Sequence, residues 1–271
     1  MKIGVFDSGY GGLTILEEIR ERLPQYDYIY LGDNARTPYG TRSFEVVYRY
    51  TWQCVKKLFE MDCQLIILAC NTASAKALRS IQQNELIQNY PNRRVLGVIR
   101  PTAESIDELT KTRIVGLVAT DGTVQSNSYT LEVGKLFPDI EVVNQACPMW
   151  VPLIENNEHL SDGADFFVKK YLDQLLAKNG AIDTLILGCT HYPLLLQKIK
   201  HYLPEHINIV TQGTIVADSL ADYLRRHPET EQLCSKGGNI QFLTTESSEK
   251  FQSSASIFLK KAIKADHISL D

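Results

Sequence analysis

Ile66-Ile67-Leu68-Ala69-Cys70-Asn71-Thr72 and Leu185-Ile186-Leu187-Gly188-Cys189-Thr190-His191 follow one plan: an unbroken apolar run, a small residue, a cysteine, then polar residues. A short apolar run without alternation suits a strand whose sheet is covered on both faces, as parallel strands under helices are. Outward from these segments the same grammar repeats. Strands are expected over 2–6, 28–32, 65–69, 95–98, 114–119, 141–145, 184–188, 208–210 and 240–244. The intervals 13–22, 44–59, 72–83, 126–136, 165–176, 215–226 and 251–264 carry apolar residues at helical spacing. Strand and helix in alternation predict an α/β fold with mostly parallel sheets flanked by helices. The repeated segment predicts two similar lobes, each presenting a cysteine at a strand end, unless the likeness is a chance match between two strands. Ligands of open parallel sheets lie beyond the carboxyl ends of the strands, so the active site is expected in the interlobe cleft.

Composition narrows the function. With 271 residues and 44% of them hydrophobic, the chain can bury roughly three quarters of its surface, as one large domain or two lobes. A formal net charge of -4 offers no basic surface for counterion release, so no nucleic-acid partner is expected. Met1-Lys2-Ile3 leads into an apolar strand and then Asp7, not into the apolar core and cleavage site of a secretory signal. A cytoplasmic location follows as the expectation. The apolar runs fall well short of the roughly twenty residues a bilayer requires, so no membrane association is expected. Cysteines stand at 54, 63, 70, 147, 189 and 234 with no Cys-x-x-Cys pair, which favours reduced thiols. The ordinary fate of such a cysteine is to be a small buried hydrophobe. Position sets Cys70 and Cys189 apart.

Both are expected where a buried strand meets the first turn of a helix, a place whose free N–H groups and dipole favour thiolate and raise reactivity. A thiol starts near 8.5, so a shift of one or two units downward would make a base at neutral pH. Asn71, Thr72 and Thr190 supply donors for carboxylate oxygens, and His191 is either an acid/base partner or a loop histidine. The segment Phe6-Asp7-Ser8-Gly9-Tyr10-Gly11-Gly12 follows a strand and opens a helix, so its amides could cradle an anion. It fails the dinucleotide fingerprint at Thr14 and lacks the Gly-Lys-Ser/Thr ending of a phosphate loop, which leaves a carboxylate as the better anion. Asp7 then holds a substrate ammonium, accepts a proton, or simply caps the helix.

Two thiols facing one another suit a racemase, which removes an α-proton from one face of a substrate and returns one to the other. A thiol protease would instead pair one cysteine with an oriented histidine. No lysine stands in the strand-end motifs, as a pyridoxal Schiff base would require, so no cofactor is expected. A zinc sphere from Asp7, Cys70, Cys189 and His191 is the rival, weakened because its ligands come from separate lobes. No metal is expected.

Phe-Asp-Ser-Gly-x-Gly-Gly-Leu-Thr at 6–14, Leu-Ala-Cys-Asn-Thr-Ala-Ser at 68–74 and Leu-Gly-Cys-Thr-His-Tyr-Pro-Leu at 187–194 resemble the glutamate racemase family. Segments 32–40, 119–126 and 147–155 extend the resemblance over nearly the whole chain. It implies cofactor-independent interconversion of L- and D-glutamate, supplying D-glutamate for peptidoglycan, cell-wall biogenesis and cell shape; a racemase of another amino acid such as aspartate is the alternative. By the same resemblance Cys70 and Cys189 are the catalytic acid/bases, with Cys70 acting on the D-form. Substrate contacts fall to Asp7, Ser8, Tyr39, Gly40, Asn71, Thr72, Thr190 and His191, with Asp7 and His191 also activating the thiols. Glu155 either orients His191 or is a helix-surface carboxylate. The first lobe is implied to be discontinuous, 1–97 with 209–271, around a second lobe of 98–208, and the enzyme to be a homodimer. The chain departs from the usual pattern at Tyr10, at Arg100 and Thr102 around Pro101, and at Thr211-Gln212-Gly213, where Ser-Gly is common.

Overall fold

The computed structural model describes residues 1–270. Among them, strands β1 (Ile3–Asp7), β2 (Tyr28–Gly32), β3 (Leu65–Leu68), β4 (Arg94–Gly97), β9 (Ile240–Thr244) and β10 (Ala265–His267) form one sheet, in the order β10-β9-β2-β1-β3-β4. Strands β5 (Ile114–Ala119), β6 (Glu141–Ala146), β7 (Thr184–Gly188) and β8 (Asn208–Val210) form the other, in the order β6-β5-β7-β8. Every pairing is parallel. In the larger sheet β1 lies between β2 and β3, and in the smaller β5 lies between β6 and β7. The topology therefore reverses direction at the same step in both, and such a switch point opens a crevice at the carboxyl edge. Cys70 follows β3 and Cys189 follows β7, so the sequence echo corresponds to equivalent places in two similar sheets.

Burial explains why the runs lack alternation. Ile3, Val5, Tyr28, Tyr30, Leu65 and Ile67 point to one face of the large sheet and meet Leu13, Leu16 and Ile19 of the Gly12–Arg22 helix. Phe6, Ile29, Leu31, Ile66 and Leu68 point to the other and meet Val47, Leu58 and Phe59 of the Phe44–Glu60 helix. Both sets are apolar because both faces are covered.

The chain crosses from the large sheet to the small one just after β4 and returns after β8. Asn208–Val210 still pair with Thr184–Ile186, so the small sheet continues past the expected boundary at 208. Only with the Gly213–Arg226 helix, whose Val216, Leu220 and Leu224 pack into the core of the large sheet, is the return complete. The helix expected over 72–83 is divided into Asn71–Lys76, Leu78–Ser80 and a π-helical Ile81–Leu86. The helix expected to reach 264 stops at Leu259 because Lys260 turns left-handed, with φ of 52°, and frees Ala265–His267 to become the edge strand β10. All six cysteines are free thiols, and among the described residues no helix is long and apolar enough to cross a membrane.

Candidate active site

Strand register sets the first side chains. In the large sheet Phe6 lies opposite Leu68, so Asp7 and Ser8 leave β1 beside Ala69 and Cys70. In the small sheet Ala119 lies opposite Gly188, so Thr120 and Cys189 emerge together. Ser8, Cys70, Thr120 and Cys189 line one cleft, with Tyr39, Gly40, Asn71, Thr72, Thr190 and His191 also on its wall. Among the described residues no lysine or arginine lines it.

Cys70 is the N-cap of the Asn71–Lys76 helix: its Sγ accepts from the Ala73 N–H at 3.4 Å and lies 3.2 Å from Ser8 Oγ. The sequence reading expects this position to lower the thiol pKa, but the structure reverses the sign. Burial, reinforced by the nearby Asp7 carboxylate, pushes Cys70 up to about 12, outweighing the Ser8 and Ala73 donors. Cys70 is thereby held as a thiol, equipped to donate a proton.

Asp7 lies behind the wall, not on it, and is 1% exposed. Its Oδ2 accepts from the Gly9 N–H at 2.9 Å, while Oδ1 has no hydrogen-bond partner. Helix capping does not explain it, since the N-cap of the following helix is Gly11. Burial pushes its carboxyl pKa up, partly opposed by His191 and by the Gly12 and Gly9 amides. Gly11 is required by close approach: a Cβ there would strike Thr190 Oγ1 and the His191 ring and lie 2.8 Å from the His191 backbone nitrogen. A glycine thus lets the small-sheet motif seat against the β1 loop.

Cys189 sits differently. The first helical turn beyond it is a 3-10 helix, Tyr192–Leu195, capped by His191, so no N–H ladder closes over the sulfur as it does at Cys70. Its partner is His191, with Nδ1 3.8 Å from Sγ and Nε2 3.0 Å from Glu155 Oε1. Burial disfavours the imidazolium, yet the bonds to Cys189 and Glu155 prevail and hold His191 well above the ordinary histidine range. Glu155, the last residue of the Trp150–Glu155 helix, also accepts from Thr37 Oγ1 at 3.5 Å. It stands behind His191, outside the cleft wall. Tyr10 adds support from below: its ring stacks on Phe251 and Phe258 at 5.6 and 6.1 Å, and Phe258 meets the His191 ring edge-on at 5.6 Å.

The remaining expected contacts are present but partly committed elsewhere. Tyr39 lines the cleft but donates its hydroxyl to the Asp33 carboxylate, and burial keeps it neutral. The Gly40 carbonyl accepts from the Gly122 N–H at 2.8 Å, joining the two lobes at the rim. Thr72 Oγ1 lies 2.9 Å from Thr120 Oγ1, a second joint. Asn71 donates to Gln212 and accepts from Tyr129. Thr120, Asp121, Cys147, Pro148 and Val151 also line the cleft and were not anticipated as site residues. The strand-end rule that singles out Cys70 and Cys189 would have found Thr120 after β5 and Cys147 after β6. No three His, Cys, Asp or Glu side chains among the described residues are grouped as a metal site would need.

A pair of thiols lining one cleft, one held protonated and the other beside a charged imidazole, can take a proton from a carbon and return one to it. Known proteins agree with that chemistry. The Asp/Glu/Hydantoin racemase family matches residues 12–220. The glutamate racemase of Geobacter metallireducens is 40% identical over 242 residues, 89% of this chain and 87% of the relative. Among solved structures, glutamate racemase isoform RacE1 from Bacillus anthracis is similar with a TM-score of 0.90 at 35% identity, covering 99% of this chain and 97% of its own. The glutamate racemase from Francisella tularensis in complex with D-glutamate is similar with a TM-score of 0.88 at 34% identity, covering 100% and 98%.

Proposed function

The chain belongs to the Asp/Glu/Hydantoin racemase family, among its glutamate racemases, and we propose that it interconverts L- and D-glutamate with Cys70 and Cys189 as the two acid/bases. One observation carries the residue assignment: the equivalent strand ends of two similar sheets deliver one thiol each to a single cleft. A sulfur anion on one side takes the α-proton, leaving its electron pair on the α-carbon. The thiol on the other side gives that carbon its proton, and the product is the mirror image. Atoms and charge balance, because one sulfur gains the hydrogen the other loses.

The flanking groups suit the two halves of this cycle. Cys70, pushed up to about 12 by burial, starts as the donor. Its conversion to a base needs a neighbour able to hold the proton, and Asp7, with an unpartnered Oδ1 and a raised pKa, is the adjacent candidate. On the other side His191 Nδ1 takes the Cys189 proton, and the bonds to Cys189 and Glu155 stabilise the imidazolium that results. Ser8, Tyr39, Gly40, Asn71, Thr72 and Thr190, with the backbone amides near them, would hold the substrate carboxylates and ammonium. Neutral donors and helix-start amides suit this role in a wall without lysine or arginine.

The same reading divides the chain into a lobe of 1–97 with 209–271 and a lobe of 98–208, adjusted by the two residues that β8 adds to the second. It places the enzyme in the cytoplasm, supplying D-glutamate for peptidoglycan and cell shape. A homodimer belongs to it too, supported by the apolar side chains of Leu160 and Phe166 left exposed on the small-sheet lobe. The central test is circular dichroism of L-glutamate incubated with the purified protein. The signal is expected to decay to zero, and a stable signal with glutamate but decay with aspartate would overturn the substrate assignment.

A further inference from the structure

Gln212 is 3% exposed and lies where the chain passes from β8 back toward the large sheet. Its side chain closes a ring with residues of both lobes. Asn71 Nδ2 donates to Gln212 Oε1 at 2.6 Å, Gln212 Nε2 donates to Tyr129 Oη at 2.6 Å, and the Tyr129 hydroxyl donates to Asn71 Oδ1 at 2.6 Å. The second hydrogen of Gln212 Nε2 goes to Thr102 Oγ1 at 2.9 Å, and Thr102 passes its own to the Val98 carbonyl at 2.8 Å. Every arrow runs in one sense, so the two amides are oriented together, in the sense that leaves Thr102 free to donate to the Val98 carbonyl. Reversing Gln212 would set N–H against N–H at Asn71.

Three features make this more than packing. Val98 and Gln212 belong to the two places where the chain crosses between sheets, so the network fastens both crossings at one point. Asn71 is the residue after Cys70 and the first of the helix that Cys70 caps. Thr102 and Gln212 are both positions where this sequence departs from the usual family pattern, and they are bonded to each other. Cys189 bonds to no member of the ring, although the Tyr129 hydroxyl lies within its electrostatic reach; its own hydrogen-bond partner is His191, which Glu155 holds.

We infer that Gln212 is a positioning residue: through the ring with Asn71 and Tyr129 it fixes the interlobe hinge and the placement of Cys70, but not of Cys189. The inference rests on the two-thiol reading. Asn71, with its carbonyl and one N–H taken by the ring, presents a fixed edge to the cleft it lines. Loosening the ring lets the Cys70 helix start drift relative to the bound α-carbon, and misplacement of a reacting group by about an ångström costs up to about a hundredfold in rate.

The test uses Gln212→Leu, which keeps bulk and removes the ring, and Tyr129→Phe, which opens the ring by loss of one oxygen. Thermal melts establish that each is folded. In each, kcat is expected to fall about tenfold while KM stays within about threefold, and the double variant is expected to be no worse than the weaker single. The decisive reading is isotopic. Enantiomers have equal free energy, so kcat/KM must fall equally in both directions. The α-deuterium isotope effect, however, is expected to rise only in the direction in which Cys70 receives the substrate proton. Folded variants with parental kcat, additive losses, or an isotope effect raised equally in both directions would overturn the inference. A parent chain that leaves glutamate unchanged would instead count against the two-thiol reading itself.

Discussion

Cys70 and Cys189 leave equivalent strands of similar sheets, yet their surroundings have opposite character. Cys70 has a hydroxyl, a backbone amide and a buried carboxylate nearby, and is held as a thiol. Cys189 has an imidazole that Glu155 keeps charged. A racemase must begin each turnover with one sulfur protonated and the other not, and two identical settings would give both sulfurs the same preference. Unequal neighbours make Cys70 a sulfur that keeps its proton and give Cys189 an imidazole with which to exchange one. The lesson of the comparison is that duplicated backbone geometry delivers the groups, while unmatched side chains set their protons.

The strongest way to break this picture is to remove each sulfur in turn. Cys70→Ser and Cys189→Ser are each expected to lower racemisation by about 10²–10⁴-fold, the range lost with a positioned acid or base. In heavy water, residual α-proton exchange followed by NMR is expected to be confined to one enantiomer, and to opposite enantiomers in the two variants. Full racemisation by either variant would end the two-sulfur assignment.

What the sequence revealed and concealed follows the same division between backbone and neighbours. The strands that carry the site are legible because 65–68 and 184–188 are continuously apolar and end in a small residue and a cysteine. Strand β10 is not, since Ala265-Asp266-His267 has no apolar pattern and pairs along only one edge. The position of Cys70 at a helix start was legible, but its proton affinity was not: sequence displays the dipole that favours thiolate and hides the burial that opposes it more strongly. Glu155 was ambiguous because its role depends on which face of a short helix meets His191. Gln212 was visible only as a departure, since no local pattern announces that an amide 141 residues from Asn71 will be its partner.

A smaller effect sharpens the Cys189 side. Glu155→Gln removes one of the two bonds that hold His191 above its usual range, so the imidazolium should lose its proton at lower pH. The alkaline limb of kcat/KM is therefore expected to move toward acid, with activity down about tenfold above it. Stability has the same sign: the ion pair's contribution is complete below the ordinary histidine pKa and disappears as pH rises through the folded-state value. A pH profile that does not move would make Glu155 a mere helix-end carboxylate.

The smallest effect concerns Cys70 alone and needs no turnover. In a Cys189→Ser background, alkylation of Cys70 by iodoacetamide, read site by site by mass spectrometry, should climb with pH toward a midpoint at about 12. Burial sets most of that value and the Asp7 charge adds to it. Asp7→Asn keeps the shape of the side chain and deletes the charge, so the midpoint should move down. An unmoved midpoint would mean that burial alone protects the thiol and that Asp7 exerts no hold on the Cys70 proton. The two sulfurs would then differ only through His191, and the carboxylate would lose its place as the group that readies Cys70 for its turn as base.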